Sequence, residues 1–232
     1  MKMGTVIRNI HRTSQDKLEL LRSYGVATTH EAIGRTGLMK PYMRPITHGL
    51  RIAGNAVTVL VHPGDNTMVH VAIELCQPGD VLVVAVSADS TDGMTGDLIA
   101  SSMMAHGVTG LILDAGCRDV SDLIAMGFPV WSRAISAKGT VKATLGQVNT
   151  PIVCAGVLTM PGDAVVADED GVVIVPFAEV DDAIAKGELR IDKEARKRER
   201  LKAGELNLDI EEMRPWLKDL GLTYYNSIED IS

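Results

Sequence analysis

The side chains best suited to chemistry gather between Thr91 and Asp122, in TDGMTGDLIASSMMAHGVTGLILDAGCRDVSD. Gly96 and Asp97 open a predicted helix over 97–106, and a short apolar strand over 111–113 follows. A Gly-turn then carries Arg118, Asp119 and Asp122. Strand ends and helix N-termini of α/β proteins face the same sheet edge, so the two segments can share one crevice. The first N–H groups of the helix lack intrahelical partners and, with the helix dipole, suit a carboxylate. Arg118 adds a planar fork for a second oxygen anion. A hard divalent ion such as Mg²⁺ takes one or two protein carboxylates and keeps several waters. That fits Asp119 as the direct ligand, with Asp97 and Asp122 holding the waters. Together these groups describe a site for a 2-oxo acid, with its carboxylate at the helix terminus and its keto oxygen on the metal and Arg118.

A plainer reading uses the same residues: Asp97 caps a helix, and Arg118 with Asp122 forms a surface ion pair. On local pattern alone it is the stronger of the two. Cys117, beside Arg118, reads as small packing and not as a nucleophile.

The elements that must position these groups follow from periodicity. Residues 14–24 form a helix ending near Gly25, and a second helix is capped by Thr28 or Thr29, with His30 and Glu31 in its first turn. Val-rich alternation over 50–61 predicts a strand, and PGDNTMVHVAIELCQPGD reads as turn, helix, turn, with Asp65 as cap and Gly79 as stop. Asn66 and His70, four apart, fall on one helix face, most simply a solvated face or a satisfied pair. Val81 to Val86 is a buried central strand, and the strand, helix, strand alternation from 81 to 115 is the parallel βαβ pattern. FPVWSRAIS returns as a strand, and DEDGVV between VVA and VIV signals a hairpin. Residues 178–202 form an amphipathic helix in which Asp192 with Arg196, and Glu194 with Arg198, are spaced for mutual support.

GDLIASSMMAHG followed by LDAGCRDVSD, with GVATTHEAIGRTGLM, YMRPI, PGDNTMVHVAIE, FPVWS and VADEDGVVIVP, resembles the class II pyruvate aldolases related to the regulator of ribonuclease E activity. The likeness runs nearly the full length. It implies a single α/β/β/α layered domain similar to swivelling phosphohistidine domains (1–177), and a C-terminal helical extension (178–232) packed on a neighbouring subunit of a homotrimer or a dimer of trimers. The activity implied is Mg²⁺- or Mn²⁺-dependent retro-aldol cleavage of 4-carboxy-4-hydroxy-2-oxoadipate or 4-hydroxy-4-methyl-2-oxoglutarate, with oxaloacetate decarboxylation on the side, in aromatic-acid breakdown. Its catalytic group is Arg118, Asp119, Asp97 and Asp122. Its substrate contacts are Gly96, Asp97, Leu98, Ile99 and Arg118, with Asn66 and His70 toward the remote end, Glu31 at the rim, and Glu194 from the neighbouring subunit.

The chain of 232 residues has length for a real core, and its 46% hydrophobic content is that of a globular protein. A net charge of −7 with 3% aromatic residues argues against nucleic-acid and anionic-membrane binding. No run approaches a membrane span, and three scattered cysteines suit a reduced cytoplasm. Two rivals stand beside the metal aldolase. A Schiff-base aldolase needs a desolvated lysine, and no apolar strand run contains one. A non-enzymatic regulator that binds ribonuclease E or a helicase would have no need of the pocket residues.

Overall fold

The computed structural model describes residues 2–231. Its strands and helices, in chain order, are β1 (Thr5–Val6), α1 (Gln15–Ala32), β2 (Arg44–Pro45), β3 (Ile52–Val61), α2 (Thr67–Ile73), β4 (Asp80–Val86), β5 (Gly93–Thr95), α3 (Asp97–Ala105), β6 (Gly110–Cys117) and α4 (Val120–Ala125). There follow β7 (Val130–Ile135), β8 (Gln147–Val148), β9 (Ile152–Cys154), β10 (Val157–Thr159), β11 (Ala164–Asp168), β12 (Gly171–Val175), α5 (Val180–Lys202), α6 (Asn207–Ile210) and α7 (Met213–Asp219). The fold is mixed α/β, and the chain divides into two compact units between Glu188 and Leu189.

In the first unit the apolar runs are continuous because both sheet faces are buried. Along β3, β4 and β6, Val57, Val59, Leu82, Val84, Leu111 and Leu113 face one side, against Met68 and Val69 of α2, Met103 of α3 and Leu123 of α4. The alternate positions Ala56, Val81, Val83 and Ile112 face the other side, with Trp131, Ile152, Val165 and Ile174. A third cluster seats Leu18, Leu21 and Val26 of α1 and Val180 and Ala183 of α5 on Val166, Val173 and Val175. Each fully buried Val or Leu contributes about 1.5–3 kcal/mol, so this period-two pattern fixes the register.

The sheet order is β1-β8-β3-β4-β6-β7-β2, with β5 on β6, β11 on β3 and β12 on β11. The β3–β4, β4–β6 and β6–β7 pairs are parallel, as the βαβ pattern requires, and β11–β12 is the antiparallel hairpin expected around Asp170-Gly171.

Several boundaries differ from the sequence reading. α1 continues to Ala32 with one break at Gly25 (φ 77°, ψ 178°), so the second segment starts at Val26, ahead of Thr28. Its opening amide is held from across the chain: Val26 N donates to Asp168 Oδ2 at 2.9 Å. Glu31 therefore lies in the last turn, not the first. α2 ends at Ile73, well before Gly79, and Asn66 precedes the helix as its N-cap residue. β6 runs to Cys117, well beyond Leu113, with a register shift between Leu113 and Gly116.

In the second unit, no described residue from 189 to 231 is buried. Ion pairs hold it locally: Arg190 Nε to Glu194 Oε1 at 2.8 Å, Lys197 Nζ to Glu211 Oε1 at 2.7 Å and Arg200 Nη2 to Glu205 Oε2 at 2.7 Å. Glu194 thus pairs with Arg190 one turn back, where the spacing had suggested Arg198. Among the described residues no helix is long and apolar enough to cross a membrane.

Candidate active site

Two glycine-bearing strand ends build the site. β5 lies parallel to β6 with Gly93 opposite Gly116 and Thr95 opposite Cys117. Arg118 N then donates to Thr95 O at 3.0 Å, which brings Gly96 and Asp119 side by side as the two chains leave the sheet. A Cβ on Gly96 would overlap Asp119 Oδ2 and stand 3.0 Å from its Cγ, so the glycine makes room for the carboxylate. Asp119 sits in the left-handed region (φ 55°, ψ 38°), a conformation Asp tolerates better than most residues but one that still stores strain. Its carbonyl accepts from Asp122 N at 3.1 Å and Leu123 N at 3.0 Å, so the turn is locked to the start of α4. The first intrahelical bond of α3 runs from Ala100 N to Gly96 O at 3.0 Å, which leaves the amides of Asp97, Leu98 and Ile99 as the helix's open donors.

These groups line a cleft together with Asn66 and Met94. Arg118 Nε lies 3.4 Å from Asp119 Oδ2, with both side chains partly open to solvent. Asn66 is 4% exposed; its Nδ2 donates to Met94 O at 3.0 Å, while its Oδ1 is buried with no partner among the described residues. A buried acceptor left unpaired costs about 1–3 kcal/mol, which a ligand hydroxyl or water would recover. Asp65, one residue earlier, fixes this wall: its carboxylate accepts from Thr67 N at 2.8 Å, Ala143 N at 2.8 Å and Thr144 N at 2.7 Å. Burial opposes its ionisation, but those donors outweigh it and hold the carboxyl well below the usual range.

The cleft thus unites Gly96, Asp97, Leu98, Ile99, Arg118, Asp119 and Asn66. It does not include Asp122, which is exposed on the first turn of α4. His70 is largely exposed and outside the cleft's lining, although its N donates to Asn66 O at 3.5 Å across the first turn of α2. Partial burial, then the charge of Lys142, keep its imidazole below the ordinary value. Glu31 sits 3.8 Å from Arg35 Nη2 on α1, away from the cleft's lining. Glu194 belongs to the second unit.

One polar cluster escaped the sequence reading. Asp114 Oδ1 accepts from Arg133 Nε at 2.9 Å and Tyr42 Oη at 3.0 Å, Asp114 Oδ2 accepts from Ala155 N at 2.7 Å, and Arg133 Nη1 donates to Asp89 at 2.9 Å. Arg133 also lies over the Tyr42 ring at 4.7 Å. The available signal was one charge interrupting each of two apolar strands, Asp114 in β6 and Arg133 in β7. Cys117 is buried beside Ser132 Oγ at 3.3 Å, and burial pushes its thiol pKa up, which leaves it inert.

For a metal, the donor set fits a water-rich hard-cation site and not a closed cage. Among the described residues no three His, Cys, Asp or Glu side chains converge. Asp119 offers a carboxylate in a cradle that a Gly96 Cβ would fill, and Asp97 is the other acid of the cleft. Mg²⁺ and Mn²⁺ tolerate such sparse carboxylate ligation.

The mixed α/β fold has known counterparts. The model of the RraA-like family, Aldolase/RraA, matches residues 26–174, and the chain belongs to this family. A Halalkalibacterium halodurans protein named "Putative 4-hydroxy-4-methyl-2-oxoglutarate aldolase" is 33% identical over 157 residues, 67% of this chain and 75% of its own. The crystal structure of Streptomyces coelicolor RraAS2, "an unusual member of the RNase ES inhibitor RraA protein family", is 27% identical, with a TM-score of 0.73 over 82% of this chain and 99% of that one. An uncharacterized Pseudomonas syringae pv. tomato protein, at 24% identity, shares the fold (TM-score 0.74, over 85% and 97% of the two chains).

Proposed function

We propose that the cleft cleaves 4-hydroxy-2-oxo diacids by a metal-dependent retro-aldol reaction. The products are pyruvate and oxaloacetate from 4-carboxy-4-hydroxy-2-oxoadipate, or two pyruvates from 4-hydroxy-4-methyl-2-oxoglutarate; oxaloacetate decarboxylation is a side activity. The observation that carries this reading is the apposition of Gly96 and the open amides of α3 to Arg118 and Asp119. The amides of Leu98 and Ile99 hold the substrate carboxylate, and Arg118 holds the 2-keto oxygen. When the C3–C4 bond parts, its electron pair passes through C3 to that oxygen as an enolate, which the Arg118 charge stabilises. The 4-hydroxyl proton passes to the Asp97 carboxylate, the second acid of the cleft, as the new carbonyl forms, and is available from there for C3. C3 is reprotonated when pyruvate forms. Asn66 Oδ1 accepts a hydrogen bond from a substrate hydroxyl. Mg²⁺ or Mn²⁺ held by Asp119 would supply further positive charge for the keto oxygen.

Assembly as a trimer or a dimer of trimers, with the C-terminal helix and Glu194 on a neighbour, belongs to the same proposal. It is supported by the lack of buried residues from 189 to 231, where Trp216, Leu220, Tyr224 and Ile228 are exposed.

A dehydrogenase-coupled assay of pyruvate release from both substrates, with Mg²⁺ and Mn²⁺, tests the reading. EDTA and Asp119→Ala should each abolish release; full activity in either case would remove the mechanism. The Streptomyces relative's description as an unusual member of the RNase ES inhibitor RraA protein family favours a second reading, a nuclease regulator. That reading gains if a chain inert toward 2-oxo acids recovers ribonuclease E in a pull-down.

A further inference from the structure

A depression lies between the start of α1 and the turn that leads into α5, lined by Arg12, Thr13, Ser14, Lys17, Phe177 and Asp181. Arg12 is anchored to Asp80, the first residue of β4, so this place is at the sheet edge remote from the cleft, which forms where β5 and β6 end. We propose that it binds a phosphate monoester, with the phosphoryl group among residues 12–17 and the organic part against Phe177. Such binding is independent of the aldol chemistry.

Thr13 is the residue that calls for a ligand. It is 7% exposed and lines the depression, and its Oγ1 is buried with no partner among the described residues. Its backbone is already committed: Thr13 N donates to Asn55 Oδ1 at 2.7 Å, and Thr13 O accepts from Asn55 Nδ2 at 3.2 Å. The hydroxyl is thus the polar group left to satisfy, and an oxyanion would accept its proton. The neighbouring Ser14 hydroxyl is also spare, since it makes no cap bond to α1.

The helix terminus and two cations supply the charge. Lys17 N and Leu18 N both donate to Ser14 O at 3.1 Å, so the amides of Gln15 and Asp16 precede the first helical bond and stay open at the positive end of α1. Arg12 spends Nε and Nη2 on Asp80, at 2.9 and 2.8 Å, which leaves Nη1 uncommitted among the described residues. With its fork taken, Arg12 offers a single contact and not the bidentate clamp that suits a carboxylate. Single donors arriving from several directions match the three terminal oxygens of a phosphoryl group better than two coplanar ones.

The acids nearby do not cancel this field. Asp80 is buried and held by Arg12, and Asp16 is exposed outside the lining. Asp181 pairs with Lys17, but both side chains are open to water, and an exposed pair is weak enough for Lys17 to exchange it for a phosphate. Phe177, 41% exposed, is steadied by the His11 ring stacked on it at 5.3 Å, and it offers apolar surface to the ester's organic group.

Calorimetric titration of the full chain with phenyl phosphate and with inorganic phosphate, at matched ionic strength and without divalent metal, is the test. Phenyl phosphate should bind with a Kd of about 1 mM or below and about threefold or more tighter than inorganic phosphate, and Phe177→Ala should erase that difference. Thr13→Val should weaken both ligands by about tenfold, and Asp181→Asn should tighten both by about threefold by releasing Lys17. Arg118→Gln should change neither affinity, which separates this site from the anion-binding cleft. If Thr13→Val does not fold, Asp181→Asn decides alone, since its side chain is exposed. Absence of binding, or binding that Arg118→Gln abolishes while Thr13→Val and Asp181→Asn leave it alone, would overturn the site. Equal affinity for the two ligands would overturn the assignment of a monoester.

Discussion

Replacing Gly96 with alanine isolates the contact on which the cleft depends. Gly96 has φ −141° and ψ −165°, extended backbone that alanine adopts freely, so the substitution carries no left-handed penalty. The added Cβ meets first the Asp119 carboxylate, with Cγ at 3.0 Å, and then Arg118 Cγ at 3.1 Å. The cheapest response is rotation of the Asp119 side chain, an off-rotamer cost of about 0.5–1.5 kcal/mol. Losing a glycine for alanine at a helix N-cap adds on the order of 0.5–1 kcal/mol. Together these predict a loss of about 1–2.5 kcal/mol, and for a chain of this size a fall in Tm of roughly 2–10 °C. Activity should suffer far more, because a carboxylate displaced by about 1 Å can cost on the order of 100-fold in rate. Thermal unfolding and pyruvate release measured on the same preparation give both numbers. Near wild-type turnover in Gly96→Ala, with Asp119→Ala inert, would refute the argument that this glycine exists to seat that acid. A collapse of the fold would refute the claim that the contact is local.

Asn66→Ala removes the orphaned acceptor and should raise KM by about tenfold while leaving Tm within a few degrees, since the lost bond to Met94 O is worth only about 1 kcal/mol; steady-state kinetics decide it, and an unchanged KM would mean that Oδ1 meets no ligand. Asp65 carries a pH prediction. Its folded pKa is depressed, so the stability it contributes is present above the unfolded carboxylate value near 3.8 and is lost as pH falls toward the folded one. Asp65→Asn should therefore be less stable than the parent at pH 7 by on the order of 2 kcal/mol, and the gap should narrow below pH 4 in urea titrations; a constant gap would place the effect outside this carboxylate.

The parts legible in sequence were those written in local pattern. Val81 to Val86 announced a strand buried on both faces, the Asp170-Gly171 turn announced its hairpin, and Gly96-Asp97 announced the start of α3, each because neighbours in sequence decide the outcome. What escaped depends on residues far apart. The helix start at Val26 rests on Asp168, which no window around residue 26 contains. Asn66 and His70 have the spacing of a shared helix face, yet Asn66 is buried against Met94 O, 28 residues away in sequence, while His70 stays exposed. Asp114 and Arg133 meet only because β6 and β7 are neighbours in the sheet. Asp122 had the right spacing from Asp119 but points along the exposed side of α4.

The left-handed backbone at Asp119 sets heat resistance against chemistry at a single codon. Glycine there would release the strain and asparagine would tolerate it, but neither would bring a carboxylate to Gly96. A library selected only for survival at high temperature should therefore drift to Gly or Asn at this position, whereas a library selected for turnover should keep the acid against its own folding interest.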